Sequence, residues 1–202
     1  MSDTVWNIAP PAVAAPELAA AFGLPPVIGQ ILANRGLADK ESARFFLEGG
    51  LADIPDPFLF AGMEAAVGRI LKAVESGETI LIFGDYDVDG VLSTVMLHKA
   101  LTSLGGKADV FIPERLKDGY GIKDEHVEVA VGRKAGLVVS VDCGVKSVGF
   151  VRAARAAGVD VIVTDHHLPG TELPEALAVL DPVLPGSGYP DRGLAGVGVV
   201  FK

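Results

Sequence analysis

Cysteine is almost absent from this 202-residue sequence: Cys143 is the only one. No disulfide can form within the chain, and a CxxC-type zinc site is excluded. Long apolar runs are missing as well, since no stretch approaches the roughly 18 residues of a membrane span. No lysine or arginine precedes Arg35, so the basic opening of a signal peptide is lacking. Positive charge is scarce: 17 Lys and Arg stand against 26 Asp and Glu, for a net charge of −9. That balance weighs against a broad nucleic-acid-binding face, and any such substrate would have to be held by metals or a local basic patch. What is plentiful is apolar mass. Half of the chain (50%) is AVILMFWYC and 21% is charged, the composition of a packed core rather than of a disordered or fibrous chain. The length allows one or two domains, and the expectation is a soluble, cytoplasmic protein independent of membranes.

Residues 1–26 are rich in Ala and Pro, with one short helical stretch at Glu17–Phe22, and read as an arm. Val27–Asn34 reads as a helix ending before Gly36, and Asp39 is placed to N-cap a second helix to about Glu48, followed by Gly49-Gly50. Asp53–Phe60 holds two prolines and reads as a loop, and Ala61–Ser76 has apolar residues at helical spacing up to Gly77. From Glu78 the pattern changes. Thr79–Phe83, Ala108–Ile112, Leu137–Val141 and Val159–Thr164 read as short apolar strands, separated by helices at Val91–Leu104, Lys123–Lys134 and Lys146–Ala157. Apolar strands alternating with helices predict an α/β fold, a parallel sheet flanked by helices on both faces, preceded by a small helical N-terminal segment. The division expected is 1–60 for the arm and helical segment and 61–202 for the α/β domain.

In such sheets the reactive groups gather at the carboxyl ends of the strands. The first strand runs into Gly84-Asp85-Tyr86-Asp87-Val88-Asp89-Gly90, the strand at 137–141 into Asp142-Cys143-Gly144, and the strand at 159–164 into Asp165-His166-His167. An isolated Asp after a strand is usually a turn residue or a helix cap. Three carboxylates within five residues, drawn towards two more, are different: at an effective dielectric of ~20 each close pair costs about 4 kcal/mol. The chain has no matching cluster of cations, so divalent metal is the natural compensation. Asp and His ligands without thiolate favour Mn²⁺ or Mg²⁺ over structural zinc. Several carboxylates can bridge two ions about 3.5–4 Å apart, a spacing suited to in-line attack of water on phosphorus.

Two other motif readings can be tested by position: the first fails, and the second, the more serious rival, ranks well below the metal cluster. Asp85-x-Asp87-x-Asp89-Gly90 matches the first half of an EF-hand loop, but its twelfth position is Met96 where a bidentate Glu is needed, and a strand precedes it. Asp87-Val88-Asp89-Gly90-Val91 after a strand imitates the opening of haloacid-dehalogenase phosphatases, with Asp87 as nucleophile and Asp89 as acid/base. That scheme calls for neither Asp142 nor the Asp165-His166-His167 triplet.

Taken in order, Asp85 to Gly90, Asp142 and Asp165-His166-His167 resemble the first three motifs of the DHH phosphoesterases, and the match within that superfamily is to RecJ-type, single-stranded-DNA-specific exonucleases. Arg35-Gly36-Leu37, Phe45-Phe46-Leu47, Asp56-Pro57-Phe58 and Met63-Glu64-Ala65-Ala66 resemble their N-terminal segment. Ile112–Gly121, Asp165–Gly170 and Leu194–Phe201 are similar to further stretches, so the resemblance runs from about residue 28 to the end. It implies that Asp87, Asp89, Asp142 and His166 ligate metal, with Asp85 and His167 as further ligands, outer partners of the ligands or phosphate contacts. Asp87, Asp89, Asp142, His166 and His167 would form the catalytic set. The implied cofactors are two Mn²⁺ or Mg²⁺ ions.

The implied reaction is 5′→3′ hydrolysis of single-stranded DNA in repair and recombination, by water whose pKa the ions lower. Arg115 and Lys117 are candidate phosphate contacts, and Tyr120 is a candidate for stacking on a base. Single-stranded DNA is the implied partner, with single-strand-binding protein implied by the resemblance alone. Two alternatives are carried: a DHH phosphoesterase acting on oligonucleotides, cyclic dinucleotides or pyrophosphate, and a non-catalytic DHH scaffold. The family's fourth metal-binding Asp is expected well downstream, and Asp181 and Asp191, the only aspartates after His167, lie close to the triplet. The chain therefore reads as an N-terminal fragment, and activity of the fragment alone is not implied.

Overall fold

The nearly all-apolar run Thr79-Ile80-Leu81-Ile82-Phe83 forms β1 (Thr79–Phe83), a central strand of a five-stranded sheet in the computed structural model. The structure describes residues 5, 7–114 and 121–202. The other strands are β2 (Lys107–Phe111), β3 (Ala135–Val141), β4 (Asp160–Thr164) and β5 (Ala178–Leu180). All pairings are parallel, in the order β2-β1-β3-β4-β5, with Ile82 opposite Val139, Val139 opposite Ile162 and Ile162 opposite Ala178.

Alternate side chains feed two cores, because the pleat sends successive residues to opposite faces. Ile80, Ile82, Leu137, Val139, Ile162 and Leu180 lie on one face. They pack beneath Met63, Ala66 and Ala73 of α4 (Met63–Ser76), Leu101 of α5 (Val88–Ser103) and Val199 of α8 (Gly196–Phe201). Leu81, Phe83, Val138, Val161 and Val163 lie on the other face. There they meet Ala130 of α6 (Val127–Gly132) and Phe150, Val151 and Ala154 of α7 (Val148–Ala156). Both faces are therefore covered, which is why the inner strands β1, β3 and β4 are largely apolar, whereas β2 at the edge alternates Lys107 and Asp109 with apolar residues. The expected fold class, a parallel sheet flanked by helices after a helical N-terminal segment, is the one observed.

The differences from expectation are local. Helix α5 begins at Val88 rather than Val91, because the Asp87 side chain caps it by accepting from Gly90 N at 3.0 Å. The helix expected at Lys123–Lys134 is a 3-10 turn, Asp124–His126, followed by the short α6. The chain then passes through Lys134 at φ 54 and enters β3 earlier than expected. Strand β5 and helix α8 have no counterpart in the sequence reading. Three residues are too few for a periodic signal, and the Gly-rich Gly196–Phe201 has low helix propensity.

The chain divides into two compact units, Met1–Ile54 and Pro55–Lys202. In the first, α1 (Ala15–Ala21), α2 (Pro26–Asn34) and α3 (Lys40–Glu48) enclose Leu18, Leu32 and Ala43. Asp39 caps α3 as its sequence position predicts, accepting from Glu41 N at 3.0 Å and Ser42 N at 2.9 Å. Among the described residues no single helix is long and apolar enough to cross a membrane.

Candidate metal centre

The strand order contains a switch point between β1 and β3, since the chain leaves β1 towards β2 on one side and β3 towards β4 on the other. A crevice opens at the carboxyl ends of strands at such a point. Asp85 and Asp87 leave β1 there, Asp142 leaves β3, and Asp165, His166 and His167 leave β4.

The turn after β1 is tight. A Cβ on Gly90 would stand 2.6 Å from the Asp85 carbonyl oxygen and 2.7 Å from its Cα, so only glycine lets α5 start this close to the strand. Asp85 is buried, and Asp89 falls in the first turn of α5. Asp142 sits in the left-handed region at φ 62, which aspartate tolerates better than most residues, and its amide donates to Thr164 O at 2.9 Å. This conformation turns a carboxylate that is only 1% exposed towards the neighbouring tips.

The two histidines are held differently. His166 Nδ1 lies 3.1 Å from the Leu194 carbonyl oxygen. A carbonyl only accepts, so Nδ1 carries the proton and, in the neutral ring, Nε2 bears a free lone pair. That Nε2 stands 3.1 Å from Asp142 Oδ1 and 3.6 Å from Asp89 Oδ2. Despite this proximity, Asp142 Oδ1 is buried without a hydrogen bond. Two lone-pair atoms therefore face each other, an arrangement that a cation between them satisfies. His167 Nδ1 bonds Asp165 Oδ1 at 2.7 Å. Asp165, fully buried, also accepts from the amides of His166, His167 and Val145, and so acts as the fixed anchor of this corner.

Two sets of three donors result, Asp85/Asp87/Asp142 and Asp142/His166/His167, with ligand atoms within 4.8 Å of one another in each. Asp142 belongs to both. Asp89 belongs to neither: Gly196 N donates to its Oδ2 and Val197 N to its Oδ1, both at 2.7 Å. The electrostatics match this crowding. Burial, followed by the charges of Asp89 and Asp87, pushes the Asp142 carboxyl up to about 7. Burial opposes the charged form of His167, but the bond to Asp165 and the charges of Asp165 and Asp142 outweigh it and raise its pKa.

The structure thus brings together Asp85, Asp87, Asp142, His166 and His167, with Asp89 beside them. Arg115, Lys117 and Tyr120 lie outside the described residues. Two acids that the sequence reading names without giving them a role are buried here. Asp165 is the anchor just described, and Asp181 leaves β5 fully buried, with Oδ1 accepting from Val183 N at 2.8 Å and Oδ2 unpartnered. Burial chiefly, with the charge of Asp165, raises Asp181 to about 6. The run Val179-Leu180-Asp181 repeats the apolar-then-Asp signature of the other strand ends, and that signal was available. Asp191 is exposed and serves its own turn, accepting from Gly193 N at 2.9 Å.

The family model described as "DHH family, N-terminal domain" matches residues 79–202. The single-stranded-DNA-specific exonuclease RecJ of Bacillus subtilis is 46% identical over 178 residues, covering 88% of this chain and 22% of its own length. RecJ from Thermus thermophilus in complex with Mn²⁺ superposes with a TM-score of 0.71 at 32% identity, covering 95% of this chain and 26% of that one. Its complex with Mg²⁺ gives a TM-score of 0.55 at 28% identity, over 95% and 22% of the two chains. The chain thus spans about a quarter of the length of these relatives.

Proposed function

Because this chain belongs to the DHH family, we propose that it is the metal-binding part of a nuclease that hydrolyses single-stranded DNA stepwise from the 5′ end. The reading is supported most by Asp142: one buried carboxylate shared by two donor sets, with an oxygen that no hydrogen bond satisfies. Its residues fit hard divalent ions, all oxygen and imidazole without thiolate, and the similar RecJ of Thermus thermophilus is known with Mn²⁺ and with Mg²⁺. Asp85 and Asp87 with Asp142 would hold one ion, and Asp142 with His166 and His167 the other, with Asp89 steadying the His166 side. Two such ions, when bound, would lower the pKa of the attacking water and offset charge on the phosphoryl oxygens.

The chain's own residues prepare that chemistry. The Leu194 carbonyl fixes the ring of His166 with Nε2 inward, and Asp165 does the same for His167. The Asp142 carboxyl, raised to about 7, would have to give up its proton to ligate a cation, so Mn²⁺ binding is expected to tighten as pH rises through about 7. Single-stranded DNA is the proposed substrate in the complete protein, in repair and recombination in the cytoplasm, alongside single-strand-binding protein. The test is digestion of 5′-labelled single strands by the complete protein with Mn²⁺, against duplex DNA and a dinucleotide. Release of nucleotides from the 5′ end of single strands is expected, abolished by Asp142→Asn. Preference for the dinucleotide would give the short-substrate reading, and no Mn²⁺-dependent hydrolysis of either would give the scaffold.

A further inference from the structure

Resting on the two-ion reading of the cluster, we infer that the turn Leu194–Val197 is a positioning element of the metal centre and that it depends on Gly196. Groups from three separate elements meet at this turn. The Leu194 carbonyl takes the Nδ1 proton of His166 from the tip of β4 (3.1 Å), and the Gly196 and Val197 amides hold both oxygens of Asp89 from α5 (2.7 Å each). The Cα of Gly196 lies against Asp142 from β3: a Cβ built there would overlap Asp142 Oδ1 and stand 2.7 Å from Cγ. Among the described residues no other hydrogen bond orients the Asp89 carboxylate, and the Leu194 carbonyl is the only hydrogen-bond acceptor for His166 Nδ1. A single stretch of backbone therefore sets the directions of a histidine and an aspartate and borders the carboxylate shared by both donor sets.

Gly196 is needed for approach, not for backbone conformation. Its φ is not in the left-handed region, so alanine would be sterically allowed by the chain itself and favoured by helix propensity at the start of α8. What forbids a side chain is the Asp142 carboxylate. Gly198, in the same short helix, is the contrast: its Cβ would first meet the Leu194 side chain, at 3.4 Å, an ordinary contact.

Removing the support of a ligand typically weakens metal binding by about 10–100-fold. Calorimetric titration of the chain with Mn²⁺ should therefore show binding at least about 10-fold weaker in Gly196→Ala, and within about twofold of the parent in Gly198→Ala. In EDTA, Gly196→Ala should keep the circular dichroism of the parent and a cooperative melt, lowered by its overlap with Asp142 but still above the temperature of the titration, which separates loss of positioning from loss of fold. In the metal-free parent, ¹⁵N shifts of the His166 ring should report a protonated Nδ1. Equal Mn²⁺ affinity of Gly196→Ala and the parent, or a bare Nδ1, overturns the positioning role while leaving the metal reading intact. A parent chain that binds no Mn²⁺ overturns both.

Discussion

Replacing Asp142 by asparagine tests the physical premise of the site, that its acids repel one another until a cation relieves them. Asparagine keeps the left-handed backbone at φ 62, which it tolerates as aspartate does, and keeps the side-chain shape. Only the charge is removed. A rise of the Asp142 carboxyl from 3.8 to about 7, at about 1.4 kcal/mol per pH unit, means that ionising it costs the metal-free fold on the order of 4 kcal/mol at pH 8. The folded pKa lies above the unfolded one, so the folded chain binds more protons between pH 4 and 7. Metal-free stability therefore falls as pH rises through that window. Urea denaturation in EDTA should find Asp142→Asn more stable than the parent by about 2–4 kcal/mol at pH 8, with the gap shrinking towards pH 4. Added Mn²⁺ should stabilise the parent and leave the variant unmoved. A variant no more stable than the parent at pH 8, or a gap that does not narrow with acid, would show that repulsion is not what Asp142 experiences.

Asp181→Asn should behave alike on a smaller scale: its carboxyl is raised to about 6, so up to about 3 kcal/mol is gained in metal-free urea melts at pH 8, fading between pH 6 and 4. Val183 N keeps its acceptor in that variant, and a loss of stability would indicate that the charge is needed. His166→Ala and Asp89→Ala should each abolish Mn²⁺-dependent hydrolysis in the complete protein. In metal-free melts His166→Ala should differ little from the parent, whereas Asp89→Ala leaves the Gly196 and Val197 amides without acceptors and should cost about 1–3 kcal/mol. Gly90→Ala should push α5 off β1, lowering the melting temperature and weakening the Mn²⁺ response together. An unchanged melt would mean that the contact with the Asp85 backbone is not tight.

Much of this protein is written in one dimension. β1 is legible to the residue because it is buried on both faces, and an apolar run bounded by Gly77 and Gly84 leaves no other choice. The Asp39 cap and the acids after β1, β3 and β4 are legible for the same local reason: a strand end, a cap or a motif involves neighbours in sequence. The tertiary structure alone decided what depends on distant contacts. The three-residue β5 exists because Ala178–Leu180 finds the edge of β4, a pairing with no local signature, and it leads into the buried Asp181, whose carboxyl feels the charge of Asp165. Asp89 and Asp87 look equivalent in sequence, yet the amides of Gly196 and Val197 claim Asp89 while Asp87 joins Asp85 and Asp142. The ring orientations of His166 and His167 are set by the Leu194 carbonyl and the Asp165 carboxylate. Residue types and spacing specify which chemistry is available; the direction of each lone pair is fixed by partners that only the folded chain brings near.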